Sequence, residues 1–278
     1  MKTILVPVDF STISDNAIDY AGELVQLMKS KLILMHVYHV PVATAEVPVI
    51  MPAWDEIEKD CMSALEKIKQ SIHRKYNSTL EIECICRMGF VIDEIIDQYT
   101  DEKNIDLVIM GMEKGGYLSE MIMGSNATEL IKRADFPVLI INEQVKFKDI
   151  KKIVLACDYE KIVDKSILNP LKEFVKLFKS HVYVLNVINK IEIESTISKS
   201  TEDIGIDNRL EGIEHSFHFV ENEDTITGIN EFVTGINADM IVIIPHKHQF
   251  LDRILNESNT KRMAFHTSIP LLALIDNK

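Results

Sequence analysis

Residues 105–142 read IDLVIMGMEKGGYLSEMIMGSNATELIKRADFPVLIIN, and residues 238–275 read ADMIVIIPHKHQFLDRILNESNTKRMAFHTSIPLLALI. One constant offset of 133 aligns them, pairing Asp106 with Asp239 and Pro137 with Pro270. Gly111 then faces Ile244, Gly124 faces Glu257, and Ser125-Asn126 faces Ser258-Asn259. The segment starts repeat as well: ILVPVDF at 4–10 matches IVLACDY at 153–159, at an offset of 149. The chain is a duplication whose loop glycines survive in the first copy only. One working binding site and one retained scaffold are therefore expected.

The repeat divides the 278 residues into two domains, 1–143 and 149–278, joined by a short charged linker from Glu143 to Lys148. In the first, residues 2–8 form an Ile- and Val-rich run that reads as a buried strand. Ser11 or Thr12 is the expected N-cap of a helix reaching about residue 29, with Ala17, Ala21, Leu24, Val25 and Met28 at helical spacing. Further strands are predicted at 31–38, 79–86, 105–111 and 137–142, and further helices at Trp54 to Tyr76, 90–100 and 124–134. The second domain repeats the order, with strands near 150–156, 181–187, 214–221, 238–244 and 270–275. Strict strand–helix alternation predicts an α/β fold: two tandem Rossmann-like domains, each a five-stranded parallel sheet with helices on both faces.

Bulk properties narrow the function. A formal net charge of −13 excludes the Lys/Arg-driven neutralisation of phosphates that nonspecific nucleic-acid binding needs. The four cysteines form no CxxC pair and no disulfide framework, so buried, reduced thiols are expected, in keeping with a cytoplasmic setting. No apolar run approaches the ~20 residues of a membrane span, and the first residues read as a strand rather than a signal peptide.

Signatures of catalysis are missing. There is no G-x-x-x-x-G-K-[ST] loop and no G-x-S-x-G elbow. A dinucleotide fingerprint would place G-x-G-x-x-G after the first strand, where this chain has PVDFST at 7–12. His246-Lys247-His248 lacks a third metal ligand and reads as a solvated loop, while His215 and His218 fall on opposite faces of a strand and read as structural. Asp158 reads as a helix cap.

One constellation remains. In open α/β sheets, ligands bind beyond the carboxyl ends of the strands, where main-chain amides and helix N-termini are available. Asp9 follows the first strand, Val37 ends the second, Gly111 ends the fourth, and Gly124-Ser125-Asn126 opens the following helix. Glycine at 124 lets backbone approach a phosphate, and the Ser125 hydroxyl and free amides can bond its oxygens. The first helical turn adds a favourable dipole for an anion.

These residues resemble the universal stress protein family in its tandem form. The resemblance is carried by ILVPVDFS at 4–11, HV at 36–37, GMEKGGYLSEMIMGSN at 111–126 and FPVLII at 136–141. It covers essentially the whole chain. The family's nucleotide pattern, G-x2-G-x9-G-[ST], is met by Gly111, Gly124 and Ser125, while Lys114 stands at the second glycine. The resemblance implies the fold of the adenine nucleotide alpha hydrolase-like group and an adenine nucleotide as ligand: ATP, ADP or AMP, with magnesium as its companion. It implies that Asp9 contacts the ribose or adenine side, that the Val37 backbone reads the adenine edge, and that Gly111, Gly124, Ser125 and Asn126 hold the phosphates. Pro7, Val8, Met112 and Lys114 complete the expected set, Lys114 either crowding the loop or placing a cation near a phosphate. It further implies that the two halves pair within the chain as single-domain relatives pair in a dimer, through strands 137–142 and 270–275, with a further homodimer open. Three readings follow: a nucleotide-binding stress or signalling protein without catalytic residues, a structural or interaction module without nucleotide, and a slow nucleotide hydrolase.

Overall fold

The computed structural model describes residues 1–39, 54–76, 79–100, 105–112, 125–157, 165–188, 210–245 and 269–275. They fall into two compact units, Met1–Met110 and Gly111–Lys278.

The first unit contains β1 (Thr3–Pro7), α1 (Thr12–Met28), β2 (Lys31–Tyr38), α2 (Trp54–Tyr76), β3 (Ile82–Met88), α3 (Val91–Thr100) and the start of β4 (Leu107–Met112). Its strands run in the order β3-β2-β1-β4, all parallel. Ile4, Leu5, Val6, Leu32, Leu34, Leu107 and Val108 are fully buried, as continuous apolar runs in a covered parallel sheet should be. The winding reverses at β1, with β2 and β3 on one side and β4 on the other. Right-handed crossovers then place helices on both faces and make the carboxyl end of β1 the topological switch point.

Helix α1 is amphipathic by its Ala17, Ala21, Leu24 and Val25 stripe, all fully buried. Ser11 is its N-cap, its hydroxyl accepting the Ser14 N–H at 3.2 Å. The helix ends at Lys29, in the left-handed region (φ 54°), whose N–H bonds the Val25 carbonyl. Against α1 lies α2: a Cβ at Gly22 would come within 2.6 Å of the Tyr76 ring, and the Tyr76 hydroxyl donates to the Asp19 carbonyl at 3.2 Å.

The second unit contains α4 (Ser125–Arg133), β5 (Val138–Asn142), β6 (Lys152–Ala156), α5 (Asn169–Phe178), β7 (His181–Ile188), β8 (His215–Glu221), α6 (Thr225–Ile236), β9 (Met240–Ile243) and β10 (Leu271–Ala273). Its strand order is β5-β10-β9-β6-β7-β8. The run β10-β9-β6-β7-β8 is parallel and repeats the first unit's winding about its own first strand. β5 joins it antiparallel, pairing Val138, Leu139 and Ile140 with Ala273, Leu272 and Leu271. This pairing groups β5 with the second half by packing, whereas the sequence repeat divides the chain at 143–149.

The duplication persists atom by atom at the amino ends of the strands. Asp106 Oδ2 accepts the N–H groups of Lys2 and Thr3 at 2.6 and 2.9 Å, and Asp239 Oδ2 accepts those of Lys151 and Lys152 at 2.9 and 3.0 Å. Ser30 donates its hydroxyl to the Met1 carbonyl at 2.8 Å, and Ser180 donates to Ile150 at 2.5 Å.

Two sequence expectations change. The third strand begins and ends later than 79–86, at Ile82–Met88. Its register is set by pairing from Leu32↔Ile82 to Tyr38↔Met88, which carries it to the end of β2. The thiols are also not all reduced: Cys61 of α2 and Cys86 of β3 are joined by a disulfide, their Cα atoms 6.4 Å apart. Only the packing of α2 on β3 brings them together. Cys84 and Cys157 take no part in a disulfide.

Candidate functional site

Strand β1 ends at Pro7, and the chain then turns sharply into α1. Val8 is buried (3% exposed) and both of its main-chain groups are held by β2. Its N–H donates to the Met35 carbonyl at 2.8 Å, and its carbonyl accepts from His36 Nδ1 at 2.6 Å. A carbonyl can only accept, so this bond places the proton of that nitrogen on Nδ1. The imidazole thereby clamps the residue that precedes Asp9. The imidazole also meets the Phe10 ring in a tilted contact, centroids 4.6 Å apart and planes at 43°.

Asp9 itself is exposed but not loose. Its Oδ1 accepts the Ser11 N–H at 3.0 Å and the Ser11 hydroxyl at 2.5 Å. Partial burial pushes the carboxyl upward, yet the side-chain and main-chain hydrogen bonds from Ser11, with one from Ser14, outweigh it and hold Asp9 below the usual carboxylate range. The group is an anion fixed at a strand end. Between the two lies Phe10 at φ 61°, a left-handed conformation that costs a bulky L-residue roughly 1–2 kcal/mol. Strain of that kind persists only where the surroundings over-determine it, and it concentrates at ligand sites.

Val37 stands two residues beyond Met35, the partner of Val8. Main-chain groups alternate sides along a strand. The Met35 carbonyl faces β1 and that of Tyr38 faces β3, where it accepts from Gly89 at 3.2 Å. Val37 therefore turns its main-chain groups to the β1 side, past Pro7, the last paired residue of β1. A rim of rings completes this end of the first unit: His39 and Phe90 lie 5.1 Å apart, and Phe90 and Met88 are 70% and 55% exposed.

Gly111 and Met112 are the last two residues of β4, both half-buried. Ser125 is the first residue of α4, and Asn126 next to it is exposed. Lys114 and Gly124 lie outside the described residues, as do Asp158, His246-Lys247-His248 and Glu257. Thus Pro7, Val8, Asp9 and Val37 come together at one end of the first unit. His36 and Phe10 belong with them and were not assigned roles by the sequence reading. Their signal was present in the HV and VDFS strings, but a clamp on a carbonyl is visible only in three dimensions.

The second copy keeps the main-chain bond and lacks the histidine. Cys157 N–H donates to Leu185 at 3.1 Å, the counterpart of the Val8 bond, but Asn186 stands where His36 does. Ile244, opposite Gly111, buries a whole side chain at 2% exposure. His215 donates through Nδ1 to the Ile213 carbonyl at 2.7 Å, and His218 lies 2.9 Å from the Ser216 hydroxyl. Among the described residues no group of three or more His, Cys, Asp or Glu side chains could hold a metal ion, and no helix is long and apolar enough to cross a membrane.

The universal stress protein family model matches residues 1–142, half of the chain. The chain belongs to the universal stress protein family. A universal stress protein of Bacillus subtilis (strain 168) is 28% identical over 147 residues, covering 50% of this chain and 97% of that protein. Universal stress protein G of Escherichia coli O157:H7 is 28% identical over 145 residues, covering 50% and 98%. These single-length relatives span one repeat. A solved universal stress protein from Archaeoglobus fulgidus DSM 4304 matches the fold end to end, with a TM-score of 0.70 at 17% identity and 98% of each chain covered. The α/β architecture of that structure thus extends over both halves.

Proposed function

We propose that this universal stress protein binds ATP, or its relatives ADP or AMP, in its first repeat and acts in the stress response as a binding and signalling protein rather than as an enzyme. The observation that carries the reading is Asp9. Its carboxylate is held ionised by Ser11 at the end of the strand about which the sheet's winding reverses, behind a carbonyl clamped by His36. An anion so placed suits hydroxyl donors such as those of a ribose, and the main-chain groups of Val37 suit the hydrogen-bonding edge of a base. Pro7 and Val8 supply the wall. Gly111, Met112, Lys114, Gly124, Ser125 and Asn126 are assigned to the phosphates by the family pattern in the sequence, with a magnesium ion as companion.

The second repeat serves as a structural partner. Supporting this are Ile244 in place of Gly111, Asn186 in place of His36, and the antiparallel β5–β10 pairing that gives the last strands of the two repeats a shared edge. A cytoplasmic location, with no nucleic-acid or membrane partner, belongs to the same proposal, as does a further homodimer.

Native mass spectrometry of the full chain with ATP and with ADP tests the reading. A bound nucleotide is expected on the wild type and none on Gly124→Glu, which copies the second repeat. If neither nucleotide binds a chain shown to be folded by circular dichroism, the protein is the interaction module that the β5–β10 edge also fits. If Gly124→Glu still binds, the phosphate site is elsewhere. Release of phosphate by wild type but not by Asp9→Asn would favour a slow hydrolase instead.

A further inference from the structure

Helix α2 and strand β3 meet at sulfur. Cys61 and Cys86 are 8% and 6% exposed and bonded to each other, with Cα atoms 6.4 Å apart, within the span that a disulfide bridges. The bond closes a sequence separation of 25 residues and links a helix to the strand whose next residues, Met88 to Phe90, form the rim described above. Among the described residues, β3 is the last strand on one side of the first unit and pairs with β2 alone. The covalent link therefore adds a second attachment to a strand held by one ladder.

A third thiol lies two residues before Cys86, on the same face of β3. Cys84 is half-buried, and burial, followed by the charge of Glu66, pushes its thiol up to about 11. At neutral pH it stays protonated and is a poor nucleophile toward the neighbouring disulfide. The pair is thus protected from scrambling by its own neighbour. Cys157, buried in the second unit, lies just past the end of β6.

We propose that Cys61 and Cys86 form a reversible oxidation site whose co-reactant is a small peroxide, and that their bond is the oxidised state of a staple between α2 and β3. In the first step one thiolate attacks a peroxide oxygen: an S–O bond forms, the O–O bond breaks, and the departing hydroxide takes a proton to become water. That cysteine is now a sulfenic acid. The other sulfur attacks it, an S–S bond forms, the S–O bond breaks, and a second water leaves. Two thiols are oxidised by two electrons and one peroxide is reduced to two waters. A dithiol reductant reverses the reaction by thiol–disulfide exchange, the reductant leaving as its own disulfide. The low exposure of both sulfurs selects for a small oxidant over a bulky disulfide such as oxidised glutathione.

The test uses the full chain, reduced with dithiothreitol, desalted, and treated with hydrogen peroxide or with oxidised glutathione. It is then denatured, alkylated with N-ethylmaleimide and weighed. The reduced protein should take four alkyl groups, one per cysteine in the sequence, and the peroxide-treated protein two. Peptide mapping should place the missing pair at Cys61 and Cys86, and dithiothreitol should restore four. Glutathione disulfide should act at least ten-fold more slowly. The melting temperature should rise on oxidation in wild type and not in Cys61→Ser, provided that circular dichroism shows this variant folded. Cys86→Ser serves as the second variant. Four alkyl groups after peroxide on folded wild type, a bond that maps to Cys84, or a bond that dithiothreitol cannot open in the folded protein would each overturn the proposal.

Discussion

Asp239 holds the amino end of β6 by accepting the N–H of Lys152 on Oδ2 at 3.0 Å, and Asp106 holds β1 through Thr3 at 2.9 Å in the same way. Both aspartates precede the inner strand next to the one they anchor, so each repeat carries the same brace. The brace lies at the end of the sheet opposite the candidate site. It is present in both copies, whereas Gly111 and Gly124 stand in the first alone.

Replacing either anchor should therefore cost stability in both repeats. Asp239→Ala and Asp106→Ala each leave strand-end N–H groups without their acceptor, a loss of about 1–3 kcal/mol. Asp9→Ala removes an exposed carboxylate and should cost less than ~1 kcal/mol while abolishing nucleotide binding. Urea denaturation of the three variants, paired with native mass spectrometry, checks this. Equal destabilisation by all three would make Asp9 a third brace.

Acid should weaken the protein in two stages. His181 and His218 approach one hydroxyl, Ser216, at 2.8 and 2.9 Å, and burial followed by the His181 charge lowers the His218 pKa from its ordinary 6.5. A lowered histidine binds fewer protons folded than unfolded. Its contribution is complete above 6.5 and is lost as pH falls through the folded value. Asp239 is partly buried, which raises its pKa, but Lys148 and the main-chain N–H groups of Lys152 and Lys151 outweigh this and lower it from 3.8. Its contribution is complete above 3.8 and disappears below. Urea midpoints measured from about pH 7 down to about pH 3 should fall in both windows, and His218→Gln should flatten the first.

Gly22→Ala should destabilise the first unit despite alanine's better helix propensity. The new Cβ would sit 2.6 Å from Tyr76 Cε2, and that ring is tethered through its hydroxyl to the Asp19 carbonyl and to Glu23. Overpacking costs about 1–3 kcal/mol, which exceeds the ~1 kcal/mol gained in propensity. Thermal unfolding should show a lower midpoint, and Gly22→Ala combined with Tyr76→Leu should recover part of it. An unchanged midpoint would mean that α1 and α2 can separate freely.

The two left-handed lysines offer the opposite sign. Lys29 (φ 54°) and Lys179 (φ 53°) end α1 and α5, each with its N–H on the carbonyl four residues back. Glycine suits that conformation without the clash of a Cβ. Lys29→Gly and Lys179→Gly should each stabilise by up to ~1 kcal/mol, read as a higher urea midpoint. The gain should be additive, since the caps lie in different units.

Much of this was legible in the residues. The period of the apolar runs marked the strands to within a few residues. Ser11 was a recognisable cap, and the constant offsets revealed the duplication and the glycines lost from its second copy. Those signals are local, fixed by backbone geometry over a single element. They also located Asp9 and Val37, since the residue after a strand is set by where the strand stops.

What no single stretch of sequence could fix depends on which distant elements touch. The late register of β3 follows from its full pairing with β2, and the Cys61–Cys86 bond from α2 lying on that strand. The clamp of His36 on the Val8 carbonyl joins residues 28 apart through the adjacency of β1 and β2. The partnership of β5 with β10 spans the whole second half. The sequence determined the elements, their duplication and the copy that kept its glycines, because these are written in period and residue type. Tertiary structure alone decided the clamp and the disulfide, because each is a contact between groups that only packing brings within bonding distance.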